Sequence, residues 1–283
     1  MMPLDWLIAP LSYGFMQRGL IASVLVGVLC AVVGCYIVLR SMAFLGDALA
    51  HGILPGVAIA YLLQVNLTIG ALAAGIAVAL GIAFLSRQGT IKEDTAIGIL
   101  FAASLSLGVL LISTIRTYAV DLTHILFGNV LGVSPGDLWL IGGLACVVLT
   151  TIGLLYKEFL VISFDPVHAA ALRLPTGLLR NLMLILLALT IVVSLQIVGV
   201  GLVAAMLVTP GATAYLVTRR LSTMMLVAAG LGAFSGVIGL YLSFYFNVAS
   251  GAAVVLTATG LFVLVFLLVP RKGVLWSRRR HRL

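Results

Sequence analysis

Residues 138–155 read LWLIGGLACVVLTTIGLL, eighteen positions without a charged side chain. An α-helix rises about 1.5 Å per residue, so a run of this length approaches the ~30 Å hydrocarbon core of a bilayer. The run is continuously apolar, whereas a membrane β-barrel strand alternates apolar and polar positions. Hydrocarbon offers no hydrogen bonds to the backbone, and a helix satisfies its own N–H and C=O groups within one segment. The stretch is therefore a transmembrane helix, and similar runs recur along the chain.

Further runs lie at 19–38, 48–64, 67–85, 96–115, 178–198, 200–217, 221–246 and 251–269, which makes nine with the first. The pairs 48–64/67–85 and 178–198/200–217 have very short connections, so eight spans is the alternative count. Residues 3–17 suit an interfacial segment, and 121–133 are apolar but too short to cross. Across 283 residues, 63% are hydrophobic and 8% charged, against about a quarter charged in ordinary soluble domains. No soluble core of this size hides so much apolar surface. The expected fold class is all-α: a polytopic helical membrane protein with one transmembrane domain over residues 1–283 and a basic tail at 270–283.

Charge placement orients the chain. With nine spans, one side receives Arg40, Arg87, Lys92, Lys157, Arg173, Arg180, Arg219, Arg220 and six cations of the tail, while the other receives Arg18 and Arg116. Cytoplasmic loops carry the excess of Lys and Arg. The C-terminus is thus expected in the cytoplasm and the N-terminus outside, in a multi-pass plasma or inner membrane protein. The basic tail reads as an anchor at the anionic membrane surface rather than a nucleic-acid contact. Cys30, Cys35 and Cys146 sit in apolar runs without zinc or disulfide spacing and read as small buried hydrophobes. Asp5, with no basic residue before it, argues against a cleaved signal peptide.

Few ionisable groups enter the apolar runs. Asp47 lies where the chain enters the second run, in Ala43-Phe44-Leu45-Gly46-Asp47-Ala48-Leu49-Ala50-His51-Gly52. His51 follows four residues later, so in a helix both side chains share one face. Ionisable residues within a membrane helix are functional by default. This pair can hold a divalent metal, relay a proton, or neutralise itself as an internal hydrogen bond. Two ligands do not complete a metal shell, since zinc takes four and manganese about six; a two-fold dimer with this helix near its axis would supply two more. His124 falls in the outer segment, as an entry contact or an ordinary surface histidine. His168 and His281 lie in cytoplasmic segments without a ligand partner.

Between Lys157 and Arg180 runs the longest internal hydrophilic break. Asp165 is a fitting N-cap and Pro166 a fitting first helical residue, and Pro175 is expected to end the element after about nine residues. A short helix with small Ala170 and Ala171 is either a docking knob for another protein or a plain connector. The chain has no G-x-x-x-x-G-K-[ST] phosphate loop and no H-E-x-x-H motif. It is not expected to be an enzyme, and any nucleotide hydrolysis belongs to another chain.

These motifs resemble the permease subunits of metal-ion ABC importers of the manganese/zinc/iron type. The likeness runs from about Met16 to Leu268. It is strongest over residues 39–58, where a basic residue, Gly46-Asp47, His51 and Pro55-Gly56-Val57-Ala58 follow in order. Further matches are Leu126-Phe127-Gly128-Asn129-Val130-Leu131, Phe164-Asp165-Pro166, Val198-Gly199-Val200-Gly201-Leu202-Val203 and Thr209-Pro210-Gly211-Ala212-Thr213-Ala214. The resemblance implies a fold similar to vitamin B12 and siderophore importer permeases, with one fewer helix. It implies a second copy of the chain, two cytoplasmic ATPase subunits that carry the ATP, and an extracellular or periplasmic metal-binding protein of a prokaryote. Asp47 and His51 become the metal contacts, and 164–175 the coupling helix, with Asp165, Pro166, Ala170 and Ala171 facing the ATPase. No permanently bound cofactor is expected; the metal is cargo, manganese first, with zinc or ferrous iron open. The competing class is a proton- or ion-coupled secondary transporter using Asp47 and His51 as a relay.

Overall fold

The computed structural model describes residues 8–87, 92–114 and 130–269. Within them the chain forms helices α1 (Gly14–Leu39), α2 (Ala43–Gly52), α3 (Leu54–Leu62), α4 (Leu67–Arg87), α5 (Glu93–Ser113), α6 (Pro135–Leu154), α7 (Tyr156–Phe164), α8 (Pro166–Ala171), α9 (Thr176–Val198), α10 (Val200–Val217), α11 (Leu221–Phe246) and α12 (Ser250–Leu268). Short 3-10 turns stand at Ala9–Ser12 and Val130–Gly132. Eight stretches are long and apolar enough to cross a membrane, α2 and α3 counting as one span, Ala43–Leu62. The ninth expected segment is α10, whose 18 residues reach ~27 Å.

All nine expected runs are helical, with shifted edges. The segment expected at the interface already belongs to α1 from Gly14. Ser134 and Asp137 form a reciprocal capping box that starts α6 at Pro135, satisfying free N–H groups at the helix start. Most of the 121–133 segment, with Asp121 and His124, lies outside the described residues, as do Asp5 and the tail with His281.

Close helix contact comes from glycine. α1 and α11 cross with Gly27 against Gly232 and Ser23 against Gly236, the small-residue spacing that lets membrane helices approach. A Cβ on Gly34 would fall on the Leu207 carbonyl of α10. Gly56 and Gly70 face each other's carbonyls, and Gly52 faces Val78. Positions that rise from 52 to 56 meet positions that fall from 78 to 70, so the α2–α3 span and α4 form an antiparallel hairpin and this short connection joins two separate helices. At the other short connection, Gly199 takes φ 85°, a conformation open to glycine, and one residue parts α9 from α10.

α10 is central despite its length. Val203, Met206, Leu207 and Ala214 are buried, packed among α1, α2, α11 and α12. α5, α6 and α12 are the least covered spans, as expected of helices that meet lipid. Cys30 and Cys35 are buried as expected, but Cys146 on α6 is exposed. Its run is apolar because lipid, not protein, surrounds that face.

Candidate metal-ion site

The span holding Asp47 is broken, and the sequence places the break. Pro55 has no N–H, and its ring would strike the carbonyl of residue 51, so a continuous helix cannot pass His51. α2 ends at Gly52 and α3 begins at Leu54. α2 itself begins at Ala43, earlier than the apolar run, which puts Asp47 inside a helix rather than at its entrance. At ~1.5 Å per residue, His51 lies ~12 Å along the span and Asp47 ~6 Å.

This span is the most enclosed of the eight, with 72% of its most apolar stretch buried. Along α2, Leu45, Gly46, Ala48, Leu49, Ala50 and Gly52 are buried. One stripe stays open: Ala43 and Phe44, then Asp47, then His51. The Asp47 side chain is 37% exposed and that of His51 25%. His51 Nε2 stands 3.6 Å from Asp47 Oδ1, too far for a hydrogen bond. The two groups stand in close contact without a direct hydrogen bond.

Two donors on one ion at about 2.1 Å are roughly 3.4 Å apart at the tetrahedral angle and roughly 3.0 Å apart at a right angle. The pair is thus open by a few tenths of an ångström from a shared ion. Among the described residues no group of three or more His, Cys, Asp or Glu side chains comes together, so one chain offers two ligands here.

On the neighbouring α5, Phe101 meets both the Phe44 ring, at 5.4 Å and 74°, and the His51 ring, at 5.8 Å and 70°. His51 Nδ1 is buried without a hydrogen-bond partner.

The connecting segment after α7 takes shape as expected at its start. Asp165 Oδ1 accepts from the backbone N–H groups of Val167, 3.0 Å, and His168, 2.9 Å, and Pro166 opens α8. The end differs. α8 stops at Ala171 because Arg173 turns left-handed at φ 57° and the Leu174 N–H reaches the Ala169 carbonyl at 3.1 Å, a Schellman closure. Pro175 instead caps the start of α9. Ala169 packs inward, fully buried, while Ala170 and Ala171 are exposed, beside Phe164, Val167 and Leu172, also exposed. His168 is exposed on the same helix.

One cluster was not legible in sequence. Glu93 opens α5 and receives Arg180 Nη2 at 3.0 Å and Arg40 Nη2 at 3.4 Å. Arg180 also donates to Ser86 Oγ at 2.6 Å. Burial lowers the Arg40 pKa, Glu93 opposes that shift, and Arg180 adds to it. The cluster ties the end of α1, the start of α5 and the start of α9 together, just beyond α8. The only signal was that Glu93 is one of eight acids.

Many apolar helices packed around a broken one, with a carboxylate and an imidazole on its open stripe, make the chain a polytopic helical membrane protein. The chain belongs to the ABC 3 transport family, whose model matches residues 12–269. It is the permease subunit of an ABC importer, with the ATPase on a separate chain. It is 50% identical over 271 residues to the manganese transport system membrane protein MntC of Listeria monocytogenes, covering 96% of each chain. A relative from Haemophilus influenzae named for iron transport is 42% identical over 260 residues, covering 92% of this chain and 96% of its own. The solved structure of PsaBC from Streptococcus pneumoniae in complex with Fab superposes with a TM-score of 0.86 at 38% identity, covering 98% of this chain and 100% of that one.

Proposed function

We propose that this permease carries Mn²⁺ into the cytoplasm of a prokaryote, and that Asp47 and His51 from two copies hold the ion in transit. The carrying observation is the open stripe of α2, where a carboxylate and an imidazole stand 3.6 Å apart in an otherwise enclosed span. Two such stripes across a two-fold axis make a four-ligand site, with water able to complete the six positions manganese prefers. The manganese name of the Listeria relative supports the choice of metal, while the iron name of the Haemophilus relative makes Fe²⁺ the first competitor. Zn²⁺ suits the same donors.

The assembly consists of two permeases, two ATPase subunits at the α8 end of the bundle, and an external metal-binding protein at the other. α8 is the coupling helix, with Ala170 and Ala171 in the docking contact. The α8 end carries the excess of basic residues, so it faces the cytoplasm and the N-terminus lies outside.

The test is elemental analysis of uptake in a strain lacking its own importer and supplied with this permease and its partners. Mn²⁺ should accumulate ahead of Fe²⁺ and Zn²⁺. Asp47→Asn and His51→Ala should assemble at parental levels yet lower uptake by roughly tenfold or more, at least the loss that weaker, outer-shell changes cause at metal sites. Normal uptake in both variants removes the site. Uptake independent of the partner's ATP hydrolysis would instead return the proton-relay reading.

A further inference from the structure

We propose that Phe101 of α5 is a positioning residue for His51: its ring, wedged between Phe44 and His51, holds the imidazole with Nε2 toward Asp47. The inference rests on the reading of Asp47 and His51 as metal ligands and extends it to a helix that supplies no ligand.

A metal-binding histidine ordinarily donates its second ring N–H to a carboxylate, a carbonyl or a water, and that bond fixes the ring's rotation. His51 has no such support: Nδ1 is buried and bonds to nothing. Nε2 lies on the Asp47 side, so the neutral imidazole that ligates through Nε2 carries its proton on Nδ1. No polar group then fixes the ring about its Cβ–Cγ bond, a torsion that is broad and roughly two-fold for histidine. A ring flip would exchange Nε2 with Cε1 and Nδ1 with Cδ2, and so present carbon to the ion. Phe101 meets the His51 ring at 70° and the Phe44 ring at 74°, both edge-to-face arrangements that aromatic pairs prefer. Phe44 lies on the same open stripe as Asp47 and His51. The three rings form an edge-to-face cluster that joins α2 to α5, and the cluster takes the orienting role that a hydrogen bond to the second ring nitrogen plays elsewhere.

The prediction is a weaker hold on the ion, restored when the ring is kept. In the purified permease–ATPase complex, Phe101→Leu keeps apolar volume and removes the ring, and Phe101→Tyr keeps the ring. Phe101→Leu should raise the Kd for Mn²⁺ by about 3–10-fold, the range an aromatic pair accounts for, while the complex assembles at parental levels. Phe101→Tyr should stay near the parental Kd. A parental Kd for Phe101→Leu overturns the proposal, and so does an equal rise in both variants. Asp47→Asn and His51→Ala are measured beside them. If those two bind Mn²⁺ normally, the metal site and the role of Phe101 fall together. If they are impaired while Phe101→Leu is parental, only the role of Phe101 falls.

Discussion

Glu93 shows how much a single side chain carries in a membrane bundle. Its carboxylate neutralises Arg40 and Arg180 where the side chains are 12% and 24% exposed, and a charge stranded there is costly. Replacing one member of a fully buried ion pair costs about 3–5 kcal/mol; partial exposure to water lowers that here to roughly 1–3 kcal/mol. Glu93→Gln should therefore lower the unfolding temperature of the detergent-solubilised permease, whereas Asp94→Asn, on an exposed neighbour, should leave it unchanged. Equal effects of the two would mean that the cluster contributes nothing specific. Asp47 should behave oppositely: its loss removes a partly exposed charge without stranding an arginine, so Asp47→Asn should leave the unfolding temperature near the parental value.

At the scale of elements, the glycines divide by what stands opposite. Gly56 and Gly70 set the α3–α4 crossing, and a Cβ on either would meet the other's carbonyl. Overpacking of this kind costs about 1–3 kcal/mol, so Gly56→Ala should lower the melting temperature. Gly98 on α5 has nothing within 4 Å of a Cβ, and Gly98→Ala should hold or raise it, since alanine is the better helix former by up to ~1 kcal/mol. The reverse order would contradict the packing described. α8 calls for a different test, because its outward face has no partner in one chain. Ala170→Trp and Ala171→Trp add bulk to that face while Ala169 still anchors the helix. Both variants should reach the membrane but lose ATP-driven uptake and co-purification of the ATPase. Intact uptake in both would make α8 a connector.

For the whole molecule, the consequence is vectorial. The ends of α1, α7, α10 and α11 surround a cavity of about 490 Å³ that includes Ser41, Arg219 and Arg220, and the Glu93 cluster and α8 lie at this same end. An impermeant thiol reagent applied to intact cells should leave a cysteine at position 277 unlabelled and should label it after lysis. The native Cys30, Cys35 and Cys146 are replaced by alanine for the measurement. Labelling in intact cells would invert the molecule and place the ATPase subunits at the opposite end.

Composition and pattern alone determined the class of structure. Uninterrupted apolar runs admit only helices in lipid, so the nine helical segments and the Asp165 cap could be read before any fold was known, whereas the break before Pro55 falls inside a run, 48–64, that reads as continuous. The Asp47–His51 pair was legible for the same reason, because one helical turn is a local relation. The tertiary structure decided what depends on distant residues. It joined positions 40, 93 and 180 into one cluster, set Phe101 edge-to-face against His51, and left the α2 stripe open while the rest of that helix is enclosed. It also set the end of α8, where a left-handed Arg173 closes the helix before Pro175 is reached. Local rules fix what a segment is, since helix hydrogen bonds and caps span only a few residues; which segments meet is set by close packing, and the apolar residues of a membrane helix look alike in sequence whether they face lipid or protein.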